Sequence, residues 1–155
     1  MMEKGGITVG ENFGAQSLAR MGPVIIVDDE ISDALLADGI INDLQPEFPG
    51  QILTSGEDLI AYLQGNDLYS DRSRYPYPVL VLLDLKMPKM DGLEVLQWLR
   101  GHPEHAELPV VVLSGCIGMA RQVTEAYRLG ALSFLPKPIQ QSDVHSILSF
   151  LKISI

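Results

Sequence analysis

Two adjacent aspartates (Asp28 and Asp29), a single Asp84, Ser114 and Lys137 are the residues best placed to do chemistry together. Each follows a short apolar run. Residues 24–27 lead into Asp28-Asp29, 79–83 into Asp84, 109–113 into Ser114, and Phe134-Leu-Pro into Lys137. If the runs are strands of one parallel sheet, three carboxylates, a hydroxyl and an ammonium meet at its carboxyl edge, where such sheets gather ligands. Carboxylates a few ångströms apart raise each other's pKa or need a cation. An all-oxygen donor set suits Mg²⁺, with Mn²⁺ as the alternative. Each residue also has a plainer use. Asp29 could cap a helix, Ser114 could lead into a loop, and Lys137 could lie on the surface. Asp84 is harder to dismiss, because a buried carboxylate without a partner is costly. The weight lies in the combination.

The elements that must position these residues alternate regularly. Val24-Ile-Ile-Val27 reads as a strand buried on both faces, followed by a helix through Ile31, Leu35, Ile40 and Leu44 that stops at Gln45-Pro46. Gln51–Thr54 is a weaker strand. Ser55 caps a helix through Leu59, Ile60 and Leu63 that closes near Gly65. Residues 65–78, with Tyr69, Tyr75 and Tyr77, read as an extended loop. The run 79–83 is the most hydrophobic strand, and Asp91-Gly92 opens a helix with Leu93, Leu96, Trp98 and Leu99 inward. A strand at 109–113, a helix over 118–129 ended by Gly130, a strand at 131–135 and a helix from Ser142 through Leu151 complete the pattern. This (βα)₅ alternation predicts an α/β fold with a doubly wound parallel sheet and right-handed crossovers.

Composition narrows the function classes. A chain of 155 residues is about one domain and buries roughly two-thirds of its unfolded surface. Eleven Lys and Arg against twenty Asp and Glu give a net charge of −9, which disfavours a nucleic-acid partner. No apolar run approaches the ~20 residues of a membrane-spanning helix, so no membrane role is expected. Cys116 is the only cysteine, which excludes an intramolecular disulfide and argues against a cysteine-zinc site. Residues 1–22 hold five glycines, have no signal-peptide pattern, and read as a flexible leader before a domain at 23–155, with a cytoplasmic location expected. His102, His105 and His145 read as solvated surface residues.

The ordered text Val24-Ile-Ile-Val-Asp-Asp-Glu30, Leu82-Leu-Asp-Leu-Lys-Met-Pro-Lys-Met-Asp-Gly92, Val112-Leu-Ser-Gly115 and Gly130-Ala-Leu-Ser-Phe-Leu-Pro-Lys-Pro138 resembles the response-regulator receiver domain of two-component signalling. The resemblance covers roughly residues 23–152 and implies a flavodoxin-like sheet in the order 2-1-3-4-5. The 65–78 loop and the Leu-Pro-Lys-Pro stretch look most like the single-domain regulators that partner bacterial phytochromes.

The resemblance further implies that Asp84 accepts a phosphoryl group from a phosphohistidine on a sensor histidine kinase. Mg²⁺ would be held by Asp29, Asp84 and the Lys86 backbone carbonyl, with Asp28 acting through a water. Lys137 and Ser114 would contact the phosphoryl oxygens, with Lys137–Pro138 a candidate cis bond. Ser114 and Phe134 would form a switch toward the surface made by helix 4, strand 5 and helix 5, which could also serve a homodimer. Lys86 and Cys116 hold the positions that tune hydrolytic water, and Gly115 stands where the family usually has Ala. With nothing after Ile155 in this sequence, output is expected through protein contact. The alternatives are a phosphorylation-independent adaptor and, less in keeping with Lys86, a hydrolase of the haloacid-dehalogenase type, which would need an aspartate there.

Overall fold

The computed structural model describes residues 21–115 and 118–155. Strands Val24–Val27 (β1), Gln51–Leu53 (β2), Leu80–Asp84 (β3), Val110–Ser114 (β4) and Ser133–Pro136 (β5) form one sheet in the order β2-β1-β3-β4-β5. Every pairing is parallel. Helices Ile31–Leu44 (α1), Gly56–Gln64 (α2), Gly92–Arg100 (α3), Ala120–Arg128 (α4) and Gln141–Phe150 (α5) alternate with the strands. The doubly wound architecture and strand order expected from the sequence are both observed.

The continuous apolar runs follow from coverage on both faces. Ile25, Val27, Val81, Leu83, Val110 and Val112 pack with Leu59, Tyr62, Val95, Leu96, Leu99 and Ala126 from α2, α3 and α4. The intervening residues Val24, Ile26, Leu80, Leu82, Val111 and Leu113 pack with Ala34, Ala37, Ile41, Val144, Ile147 and Leu148 from α1 and α5. Side chains of successive strand residues thus feed two separate layers. Among the described residues, no helix is long and apolar enough to cross a membrane.

Several boundaries differ from the sequence expectation. β3 and β4 run one residue beyond their apolar runs, so Asp84 and Ser114 are the last strand residues rather than the first loop residues. β5 begins at Ser133, because the Ala131 N–H still bonds to the Ala126 carbonyl at the end of α4 (2.9 Å). α5 starts one residue early, at Gln141. Residues 65–78 are not simply extended. They hold a 3₁₀ turn at Asp67–Ser70, and Tyr69 and Tyr75 pack against Tyr62 with ring centroids 4.9 and 5.9 Å away. Arg72 ties this segment down by donating to the carbonyls of Tyr62, Leu63 and Tyr75, which serves the carbonyls left open where α2 ends at left-handed Gly65.

The histidine expectation needs correction. His145 is exposed, but His105 is buried, because the 3₁₀ turn Pro103–His105 tucks it beneath α3. Its ring stacks with Tyr77 and Trp98, and its Nδ1 lies 2.6 Å from the Tyr77 hydroxyl. His102 is half-buried and stacks on Trp98 at 3.9 Å. The leader expected over 1–22 lies, for residues 1–20, outside the described residues. Gly22 is buried, with a Cβ built on it only 3.0 Å from Val79 Cγ1.

Near the amino ends of β4 and β5, Arg100 closes α3 onto its neighbours. Its guanidinium donates to the carbonyls of Ala106, Leu108, Leu129 and Gly130 at 2.8–3.2 Å.

Candidate functional site

The sheet brings the predicted residues to one edge. β1 passes straight into Asp28, while Asp84 is held opposite Leu113 and Ser114 opposite Pro136 in the strand ladders. Asp28, Asp84 and Ser114 are buried, and Asp29 is exposed. Asp29 does not cap the first helix. That place falls to Glu30, which makes no side-chain cap. Asp28 instead fixes the turn, its Oδ1 accepting from the Glu30 N–H at 2.9 Å.

Behind Asp84 the chain is locked by the next helix. Asp91 and Glu94 form a reciprocal capping box, each side chain accepting from the other's N–H at 2.9 Å. Gly92 then donates its N–H to the Leu85 carbonyl at 3.0 Å. A Cβ at Gly92 would lie 2.5 Å from the Asp84 carbonyl oxygen, so the close approach of α3 to the end of β3 requires glycine.

Lys137 follows β5 with a cis bond to Pro138, and its ammonium enters the acid cluster. Nζ is 2.7 Å from Asp28 Oδ2, 3.1 Å from Asp33 Oδ2 and 3.5 Å from Asp84 Oδ1. Burial opposes the lysine's charge, but its hydrogen bond to Asp28 and the charges of Asp84 and Asp28 outweigh that, leaving its pKa at about 12. Asp84 moves up, to about 6. Burial is the first cause and the Asp28 charge the second, against partial relief from Lys137 and from the Lys86 N–H, 3.4 Å from Asp84 Oδ1.

Asp28, Asp29 and Asp84 each turn a carboxylate oxygen to within 4.8 Å of the others. That donor set is hard, oxygen-only and more negative than Lys137 alone can neutralise, so it fits a small divalent cation. Both Asp28 oxygens already have partners, which leaves Asp29 and Asp84 the better placed for direct ligation. The cluster opens into a cavity of about 650 Å³ lined also by Glu30, Asp33, Lys86, Met87 and Gly115. A Cβ on Gly115 would touch the Lys137 stem at an ordinary 3.4 Å. Phe134 is half-buried against the α2–α4 core. Cys116 lies outside the described residues.

Sequence reasoning missed Asp33. It is the third residue of α1, where an acidic side chain ordinarily reads as a partner of the helix N-terminus.

Comparison with known proteins agrees with this geometry. Residues 24–149 match the family model described as response regulator receiver domain. The response regulator Rcp1 of Synechocystis sp. (strain ATCC 27184 / PCC 6803 / Kazusa) is 34% identical over 125 residues, covering 81% of this chain and 82% of Rcp1. The cyclic di-GMP phosphodiesterase response regulator RpfG of Xanthomonas campestris pv. campestris (strain 8004) is 30% identical over 91% of this chain, which spans only 35% of RpfG. Among solved structures, the phosphorylated cyanobacterial phytochrome response regulator RcpA superposes with a TM-score of 0.66 at 28% identity, covering 85% of this chain and 91% of that one. The Mn(2+)-bound form of Rcp1 gives 0.65 at 29%, covering 83% and 91%. An aspartate edge at the carboxyl ends of a 2-1-3-4-5 sheet and a family match over most of the chain lead to one conclusion: this chain belongs to the response-regulator receiver domain family.

Proposed function

We propose that Asp84 is the phosphoryl acceptor of this receiver and that a sensor histidine kinase is the donor. The observation carrying this is the placement of Asp84: buried at the end of a central strand, beside two other carboxylates and 3.5 Å from a lysine ammonium. In the transfer, an Asp84 carboxylate oxygen forms a bond to phosphorus as the phosphorus–nitrogen bond to the donor histidine breaks. The imidazole leaves with the electron pair and takes a proton, and an acyl phosphate remains. Such transfers depend chiefly on alignment and charge stabilisation. Lys137 meets one phosphoryl oxygen as a point charge and the Ser114 hydroxyl donates to another.

Asp29, Asp84 and the Lys86 carbonyl would hold Mg²⁺ or Mn²⁺, with Asp28 acting through a water. When bound, the ion supplies neutralisation of the carboxylates and the incoming phosphate. The Mn(2+)-bound Rcp1 structure supports this choice of ions. Lys86 screens the acyl phosphate from water, so Lys86→Ala shortens the phosphoryl lifetime in an autodephosphorylation assay. An unchanged rate contradicts that role.

Ser114 moves toward the new charge and Phe134 rotates into the space it leaves, which relays the change to α4, β5 and α5, elements that bear the exposed aromatics Tyr127 and Phe150. The same face serves a homodimer, to be read from the molar mass of phosphorylated and unphosphorylated chain by light scattering. The likeness to the phytochrome response regulator RcpA supports a phytochrome as the kinase.

Incubation with acetyl phosphate and Mg²⁺, read by intact mass, tests the acceptor assignment. One added phosphoryl group is expected in the parent and none in Asp84→Asn. Continuous hydrolysis of phosphoesters would support a hydrolase instead, and an unmodified parent would support a phosphorylation-independent adaptor.

A further inference from the structure

The ammonium that the phosphoryl group must recruit is already shared among Asp28, Asp33 and Asp84 at 2.7, 3.1 and 3.5 Å. The ammonium donates a hydrogen bond to Asp33, while the Asp28 and Asp84 carboxylates draw on the same charge. Asp28 is buried and gives the shortest contact, which makes it the permanent anchor. Asp33 differs. Its side chain is 39% exposed and it approaches from the first turn of α1, on the rim of the cavity. A carboxylate in the first turn is favoured by the helix N-terminus whatever it touches. That preference does not account for a contact with a lysine 104 positions away in the chain.

We propose that Asp33 is a positioning residue that holds Lys137 toward α1 while Asp84 is unmodified, and so limits how readily an anion is captured at Asp84. The inference rests on Asp84 being the acceptor. It assigns a competition: the incoming phosphoryl oxygens and Asp33 draw on the same ammonium, and Asp33 adds a like charge to the cavity the anion enters. Removing the Asp33 charge leaves Lys137 anchored by Asp28 but gives the anion a larger share of it. Asparagine keeps the shape and an accepting oxygen, so the change isolates the charge.

Beryllofluoride, an anionic phosphoryl mimic, provides the test, titrated in saturating Mg²⁺ and followed by fluorine NMR. Asp33→Asn should bind it about three- to fivefold more tightly than the parent, in keeping with loss of a partly exposed ion pair. Asp33→Glu, which restores the charge, should return toward parental affinity. Glu30→Gln removes a charge from the same cavity and should shift affinity less. Equal or weaker binding by Asp33→Asn overturns the proposal, as does equal tightening by Glu30→Gln, which would point to the general field of the cavity. Absence of any adduct in the parent would instead remove the acceptor assignment, and this inference with it.

Discussion

The two ends of the sheet are each organised around one cation at least half-buried, and they treat it in opposite ways. At the amino end, Arg100 donates to four neutral carbonyls that the ends of turns and helices leave open. At the carboxyl end, Lys137 faces three carboxylates, with Asp29 beside them. The first arrangement satisfies polar groups that would otherwise be stranded. The second leaves negative charge in excess, and burial, reinforced by the Asp28 charge, lifts the Asp84 pKa to about 6. One end is built for stability. The other is held by the fold in a state that a divalent cation can relieve.

The largest expected effect breaks the amino end. Arg100→Met should destabilise the protein by about 2 kcal/mol, because carbonyls that are in part shielded from water lose charged donors. Urea unfolding measures it. Labelling by acetyl phosphate in the remaining folded protein should be unchanged, and a loss of labelling at full folding would show that the two ends are not separable.

Asp84→Asn should act in the opposite direction, raising metal-free stability near pH 7 by on the order of 1–2 kcal/mol. The native pKa of Asp84, about 6, exceeds the ordinary aspartate value of 3.8, so the folded state binds more protons between these values. Parental stability should therefore fall as pH rises through that window, and Asp84→Asn should remove this slope. Adding Mg²⁺ should stabilise the parent more than the variant.

His105 should show a smaller slope of the other sign. Its pKa is held below the usual histidine value, first by burial, with the Glu104 charge opposing. The unfolded state then binds the proton more readily, so stability is lost as pH falls through and below about 6.5. His105→Phe, which keeps a ring in the stack, should flatten that acid-side loss in thermal melts at successive pH values. The smallest effect is expected of Gly115→Ala, a gain of about 0.5 kcal/mol with labelling unchanged, since the new methyl meets the Lys137 stem at ordinary contact distance.

The contrast between the ends also accounts for what the sequence disclosed. β1, β3 and β4 were legible because strands buried on both faces must be continuously apolar, and Asp28, Asp84 and Ser114 stand out where those runs stop. Lys137 was legible only in company with them. Arg100 was not, because a basic residue at the end of a helix ordinarily reads as solvent-facing, and two of its acceptors lie 29 and 30 positions away. Asp33 was hidden for a similar reason: its plain use in the first turn of α1 masks its contact with Lys137. His105 was misread because nothing local announces that Pro103 begins a turn folding the ring between Tyr77 and Trp98. Contacts that span the chain are set by packing, which local patterning does not encode.

The central claim is most directly tested by locating the covalent bond. Protein treated with acetyl phosphate and Mg²⁺ is reduced with borohydride, which converts an aspartyl phosphate to homoserine, and then mapped by peptide mass spectrometry. Homoserine at position 84 and at no other aspartate is the result this account predicts. Homoserine at Asp28, Asp29 or Asp33 with Asp84 intact, or at no position, would contradict it.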